Sequence, residues 1–279
     1  MTRLILKTII PLLAVVTLTG LTIFAQSREF KKTVDFSSGG DLKVYSDRGS
    51  VHLTSWNQNQ VEVVARIVRP EWAKSDFDQR SIDATKIDLI GDSRSLTVRA
   101  NFDDVPSRNS IISDGRSLPE VHFEIRAPRS LNLVLDVDRS KVEFRGVEGK
   151  LEVFSDRSSV TADDIAGDLR VKADRGPIKI SGARVKLDVH TDRSDVKMSA
   201  TQITGDSKFE INRGDLELNV PRSQGMVVSA NTGRRAGFES DFPVSMQTFG
   251  DDRVEGTING GGPKVMIRTD RGKARLKQE

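Results

Sequence analysis

The sequence has no cysteine, one tyrosine and two tryptophans in 279 residues, and aromatics make up only 5% of it. Without a thiol there is no disulfide, no thiolate metal site and no cysteine nucleophile. With so few rings, a core must be built from Val, Ile and Leu, which favours strands over a bulky helical interior. A charge excess is missing too. Lys and Arg number 43 against 40 Asp and Glu, a formal +3 that falls to about +1 when Arg3 and Lys7 of the leader described next are set aside. That balance argues against nucleic acid as a partner.

One long apolar run exists, and it opens the chain. Residues 1–25 place Arg3 and Lys7 ahead of an uncharged stretch from Thr8 to Ala25, followed by the polar "QSREF". This is the layout of a secretory signal peptide cut between Ala25 and Gln26. Left uncut, the same eighteen residues just suffice to span a bilayer and would anchor the chain, although Pro11 and Gly20 interrupt them. No cysteine is present for lipid attachment. Both readings place residues 26–279 outside the cytoplasm, in the periplasm, at the cell surface or secreted, and membrane contact is expected only if the leader stays.

What the rest of the chain has is repetition. "GDLKVYSDRGSVHL" (Gly40–Leu53), "GDLRVKADRGPIKI" (Gly167–Ile180) and "GDSKFEINRGDLEL" (Gly205–Leu218) are one phrase. Copies align at Asp47, Asp138, Asp156, Asp174, Asp192, Asn212 and Asp270, with a degenerate one at Asn231. From Asp138 the steps are 18, 18, 18, 20 and 19 residues, then 39, which reads as one skipped rung. A period near 20 marks a solenoid. Within a copy Leu169, Val171 and Ala173 alternate with Arg170 and Lys172, and after the corner Ile178 and Ile180 flank Lys179. That is strand spacing. A lone strand pair cannot bury its apolar face, whereas stacked turns make a continuous aliphatic column. The expected fold is therefore all-β, a single-stranded β-helix with rungs of 18–20 residues occupying 26–279 as one domain, each turn about 60 Å of contour at about 3.3 Å per residue. Asp followed by Arg and then Gly or Ser predicts a type I turn at the corner, with Asp accepting from backbone N–H groups.

Residues 57–130 lose the phrase but keep strand-like runs, with a short helix expected near Ala73–Ala84, and read as irregular rungs sealing one end. At the other end, "KVMIRTDRGKARLKQE" reads as a final edge strand whose Lys273, Arg275 and Lys277 point outward and discourage addition of another chain.

The repeated corner, the late "GTINGGGPKVMIRTDRGKARL" (Gly256–Leu276) and the leader resemble the bacterial DUF4097 family over most of residues 30–279. Its members are loosely described as adhesins. The resemblance implies a right-handed β-helix in the cell envelope and transfers no catalytic residues.

The strongest candidate for chemistry is the corner itself. Asp138, Asp156, Asp174, Asp192 and Asn212 would form its structural column. Arg139, Arg157, Arg175, Arg193 and Arg213 would form a comb suited to carboxylate- or phosphate-bearing polymer. The competing reading is that Asp fixes the turn and Arg neutralises its neighbours. Acidic pairs at Asp103-Asp104, Asp163-Asp164 and Asp251-Asp252, and Asp136 with Asp138, could serve a polysaccharide-cleaving β-helix. The three consecutive pairs would each point to opposite faces, and no calcium-binding repeat accompanies them. His52, His122 and His190 show no metal or triad spacing. "RGD" at Arg213–Asp215 is one copy of the corner, and Trp56 and Trp72 read as cap residues. The function expected is that of an exported, non-enzymatic scaffold, without cofactor or metal, presenting a repetitive charged face to envelope polymer or protein. The alternatives are a polysaccharide lyase or hydrolase and an accessory or sensor of an envelope-stress system.

Overall fold

The computed structural model describes residues 27–71, 73, 79–106, 118–243, 245–250 and 253–279. The leader, Trp72 and Asp251-Asp252 lie outside them. Among the described residues, twenty-two strands form one continuous hydrogen-bonded sheet wound into a column, and one six-residue helix spans Gln79–Ala84. The all-β solenoid expected from the repeat is what the chain builds. The residues of the helix fall within the one expected near Ala73–Ala84, of which residues 74–78 lie outside the described residues.

Each turn has three sides. The long side carries Asn132–Val137, Glu148–Arg157, Ala166–Arg175, Arg184–Arg193 and Ser207–Arg213, all parallel. The second side carries Ser140–Arg145, Ser159–Asp163, Ile178–Ser181, Val196–Ser199 and Leu216–Val220, also parallel. A short third side closes each turn. There the Ala166, Arg184 and Gln202 N–H groups donate to the Val147, Ile165 and Ala183 carbonyls of the preceding turn at 3.0, 2.9 and 2.8 Å.

Alternation sets what these sides bury. Leu133, Leu151, Leu169 and Leu187 are successive register partners, and so are Leu135, Val153, Val171, Val189 and Phe209. Opposite them stack Val142, Val160, Ile178, Val196 and Leu216. Each is at most 2% exposed, and each such burial favours the wound state by about 1.5–3 kcal/mol. A slip of one residue would turn every one of them outward, so the register is tightly specified.

The third side begins at a second corner that the sequence reading passed over. Gly146, Asp164, Gly182 and Ala200 recur every 18 residues with φ of 74°, 49°, 61° and 47°. The left-handed conformation turns the chain there, and Gly, Asp or a small residue is tolerated in it.

Both ends depart from simple winding. The first phrase does not begin the column. Asp41–Ser46 and Gly49–Trp56 stack on Asn132–Val137 and Ser140–Arg145, while Ser95–Asn101 and Glu120–Pro128 cover their other edge. Lys86–Gly91, Gln60–Val68 and Ser27–Asp35 then continue the sheet antiparallel. At the opposite end the edge-strand expectation is overturned. Lys264–Gln278 is interior, parallel to Ser207–Arg213 and Leu216–Val220 on one side and to Met226–Ser240 on the other. The copy at Asp270 thus follows Asn212 in space, and the copy at Asn231 lies beyond it. The step of 39 residues reflects an insertion rather than a missing rung. The outward cations meet acids of neighbouring strands: Lys273 with Glu239 at 2.9 Å, Arg275 with Asp215 at 2.9 Å, and Lys277 with Glu217 at 2.9 Å.

Candidate functional site

At Asp156, Asp174, Asp192 and Asn212 the pair lies within the long strand and the chain bends only at the residue after it, while Asp138 and Arg139 follow the end of theirs with Arg139 left-handed, so the type I turn is corrected as well. Gly176 and Gly214 make the bend at φ of 111° and 132°. A Cβ on Gly176 would stand 2.1 Å from the Ser158 carbonyl oxygen, which is why the next rung must come so close there without a side chain. Ser158 and Ser194 bend without a positive φ, and their side chains are 2% exposed.

In place of backbone N–H groups, the corner aspartates hold guanidiniums. Arg157 Nε donates to Asp156 at 3.1 Å and Arg193 Nε to Asp192 at 3.0 Å. Arg175 stands 3.4 Å from Asp174 and Arg139 3.6 Å from Asp138, while Arg157 also reaches Asp138 at 3.7 Å. The Arg193 guanidinium and the Asn212 amide hold the Asp192 carboxyl below its ordinary value. Burial opposes the same shift at Asp156, but the bond and charge of Arg157 prevail. Asp47, at the far end, is pushed up by burial and by the nearby Asp138 and Asp136 charges.

Arg157, Arg175, Arg193, Arg213 and Arg271 are consecutive register partners, so the strands bring four of the five expected comb arginines into one line and add Arg271. Arg139 precedes the line from a left-handed residue, φ 48°, past the end of its strand. Arg271 is in the sequence motif, but only its insertion beside Arg213 brings it next to the comb.

Beside this corner runs an open groove of about 680 Å³. It lies between the outward side chains of Lys172, His190, Glu210 and Arg268 and the corner residues Asp174, Asp192 and Asn212. His190 Nδ1 meets Glu210 at 2.8 Å, and Lys208 meets the same carboxylate at 2.7 Å. The Lys208 ammonium is the main reason that Glu210 titrates below its ordinary range. Behind the corner the inward side chains are small. The buried hydroxyls of Ser155, Thr191, Ser194 and Thr269 have no hydrogen-bond partner among the described residues.

The other candidates are dispersed. Asp163 accepts from Ser181 Oγ at 2.6 Å, and Asp164 takes Arg129 at 3.0 Å, so that acidic pair ties rungs together at the second corner. Asp104 pairs with Lys86 at 2.6 Å. His52 faces Glu143 at 3.3 Å, and His122 Nδ1 is 2.9 Å from Ser50 Oγ. Asp215 of "RGD" accepts from the Lys273 N–H at 2.8 Å and from Arg275. Trp56 donates to the Gln60 carbonyl at 2.8 Å. Among the described residues, no three His, Asp or Glu side chains converge to hold a metal.

This winding, with its inserted closing strand, agrees with the match of the Toastrack DUF4097 family model to residues 21–277. The chain belongs to that family. No curated protein matches the Toastrack chain. Solved structures similar to it include a candidate adhesin of Bacteroides fragilis, at 10% identity and TM-score 0.46 over 90% of this chain and 97% of that one. Another is a candidate cell adhesion protein of Clostridium sporogenes, at 10% identity and TM-score 0.40 over 91% of this chain and 100% of that one. A third is a candidate adhesin of Parabacteroides merdae, at 11% identity and TM-score 0.29 over 91% and 96%.

Proposed function

We propose that this protein is an exported, non-enzymatic scaffold that uses the corner of its column to bind an anionic envelope polymer. The observation that carries the reading is the in-register line from Arg157 to Arg271, one guanidinium per rung. A row of planar donors carried on strands about 4.8 Å apart suits a ligand that itself repeats. The aspartates between them keep the row from repelling itself and set a charge pattern that a partner must match. Export rests on the leader at residues 1–25, and the partner is envelope polymer or protein. A glycan-cleaving role fits less well. A general acid needs a raised carboxyl, whereas the groove's Asp192 and Glu210 are both lowered.

The test is retention of the purified protein on immobilised polygalacturonate and on anionic wall polymer. Replacing Arg157, Arg175 and Arg193 by Ser should release it at markedly lower salt. Unchanged retention by that triple variant would remove the reading.

A further inference from the structure

The corner is not uniform. Its first four aspartates each neutralise an arginine, but at the fifth position the chain has Asn212. Arg213, on that rung, and Arg271, on the next, have no carboxylate within ion-pairing distance among the described residues. They are register partners of each other, and both are exposed. Arg268, also exposed, lines the groove beside Asn212. Two guanidiniums about 4.8 Å apart repel by about 1 kcal/mol even when fully solvated, a cost that one shared anion reverses.

Resting on the reading that this corner meets an anionic polymer, we infer that Arg213 and Arg271, with the Asn212 amide between rungs, form a site for the phosphate groups of a phosphodiester polymer. A carboxylate presents its acceptor sites in one plane, which a single guanidinium fork matches face to face. A phosphate presents several oxygens in a tetrahedral array, so it can bridge two forks on successive rungs and still accept from a neutral amide. The side-chain amide adds a donor where an aspartate would add a repelling charge. Asp192, which accepts from Asn212 Nδ2 at 3.3 Å and from Arg193, also lies within the field of Arg213 and bounds the site on one side. On the other side lies Asp270, adjacent to Arg271 in sequence.

The experiment measures binding of the full chain to soluble poly(glycerol phosphate) by calorimetry, with polygalacturonate and phosphatidylglycerol vesicles as comparison ligands. Asn212→Asp restores the acid found on the other rungs and changes almost no volume. It should weaken phosphate-polymer binding about tenfold, as should the Arg213→Gln/Arg271→Gln double variant, with the thermal midpoint preserved. Equal binding by wild type and Asn212→Asp overturns the site, as does equal or stronger binding of polygalacturonate, or binding to vesicles alone. The two proposals fail separately. Loss of polymer retention in the Arg157, Arg175 and Arg193 triple variant, with none in Asn212→Asp, would leave the comb standing and remove the phosphate site. The reverse pattern would confine binding to Arg213 and Arg271.

Discussion

Leu276 is the register partner of Leu218, although residues 226–258 contribute three further strands between the two in sequence. Both side chains are buried, at 1% and 0% exposure, and Leu276 has Ser240 on its other side. The inserted strand therefore adds to the core and closes the hydrogen-bond edge of three strands.

Leu276→Ala should cost about 2–5 kcal/mol by denaturant unfolding, because it empties a site that packed neighbours cannot fill. Hydrogen exchange should show Leu216–Val220 and Met226–Ser240 losing protection together. A loss confined to Lys264–Gln278 would contradict the shared role of that strand.

At the corner, Gly176→Ala should destabilise by about 1–3 kcal/mol or more, since the methyl would meet the Ser158 carbonyl and the backbone has a positive φ. Ser158→Gly, at the equivalent position one rung earlier, should cost less, chiefly by losing the hydroxyl that accepts from the Ser140 N–H at 3.0 Å. Thermal melts of the two variants compare them directly.

Thr191→Val keeps the shape of a buried side chain and removes a hydroxyl that has no partner among the described residues. It should leave stability unchanged or raise it, by up to about 1 kcal/mol, read from the urea midpoint. A clear loss would mean that the hydroxyl is satisfied in solution.

Two carboxylates should give pH profiles of opposite sign. Hydrogen bonds from Lys277 and Lys197 lower Glu217 to about 2, so its stabilising effect is complete above its ordinary value of 4.5 and fades as pH falls toward 2. Glu217→Gln should be the less stable form at pH 7 and equal to wild type near pH 2. Asp47 is raised, chiefly by burial, so keeping it ionised costs stability at neutral pH. Asp47→Asn should be the more stable form at pH 7 and lose that advantage as pH falls through the raised value toward 3.8. Melts of the wild type and both variants between pH 2 and 7 check both signs.

The inward alternation of Leu169, Val171, Ile178 and Ile180 was legible because burial acts on each rung alike and leaves the same imprint 18 residues apart. The line of corner arginines was legible for the same reason. The order of the rungs was not, since register records which residues can neighbour each other and not which copy does. The copies at Asn231 and Asp270 fit the same slot, and the tighter match of Asp270 to the phrase gave no hint that it displaces Asn231. The second corner was missed because Gly146, Asp164, Gly182 and Ala200 share a backbone conformation rather than a residue type. The unequal charge at Asn212 is visible as a letter, whereas the place of Arg271 beside Arg213 depends on the order of the rungs.

The place of Lys264–Gln278 also bears on how the molecule is made. Export threads the chain across a membrane from its N-terminal end, and most of the column can wind as it emerges, each turn laid on the one before. That growth must halt after Leu216–Val220. The strand Met226–Ser240 emerges first but has no place to dock until a later strand has filled the slot between them, so this end of the coil closes like an arch, on its keystone.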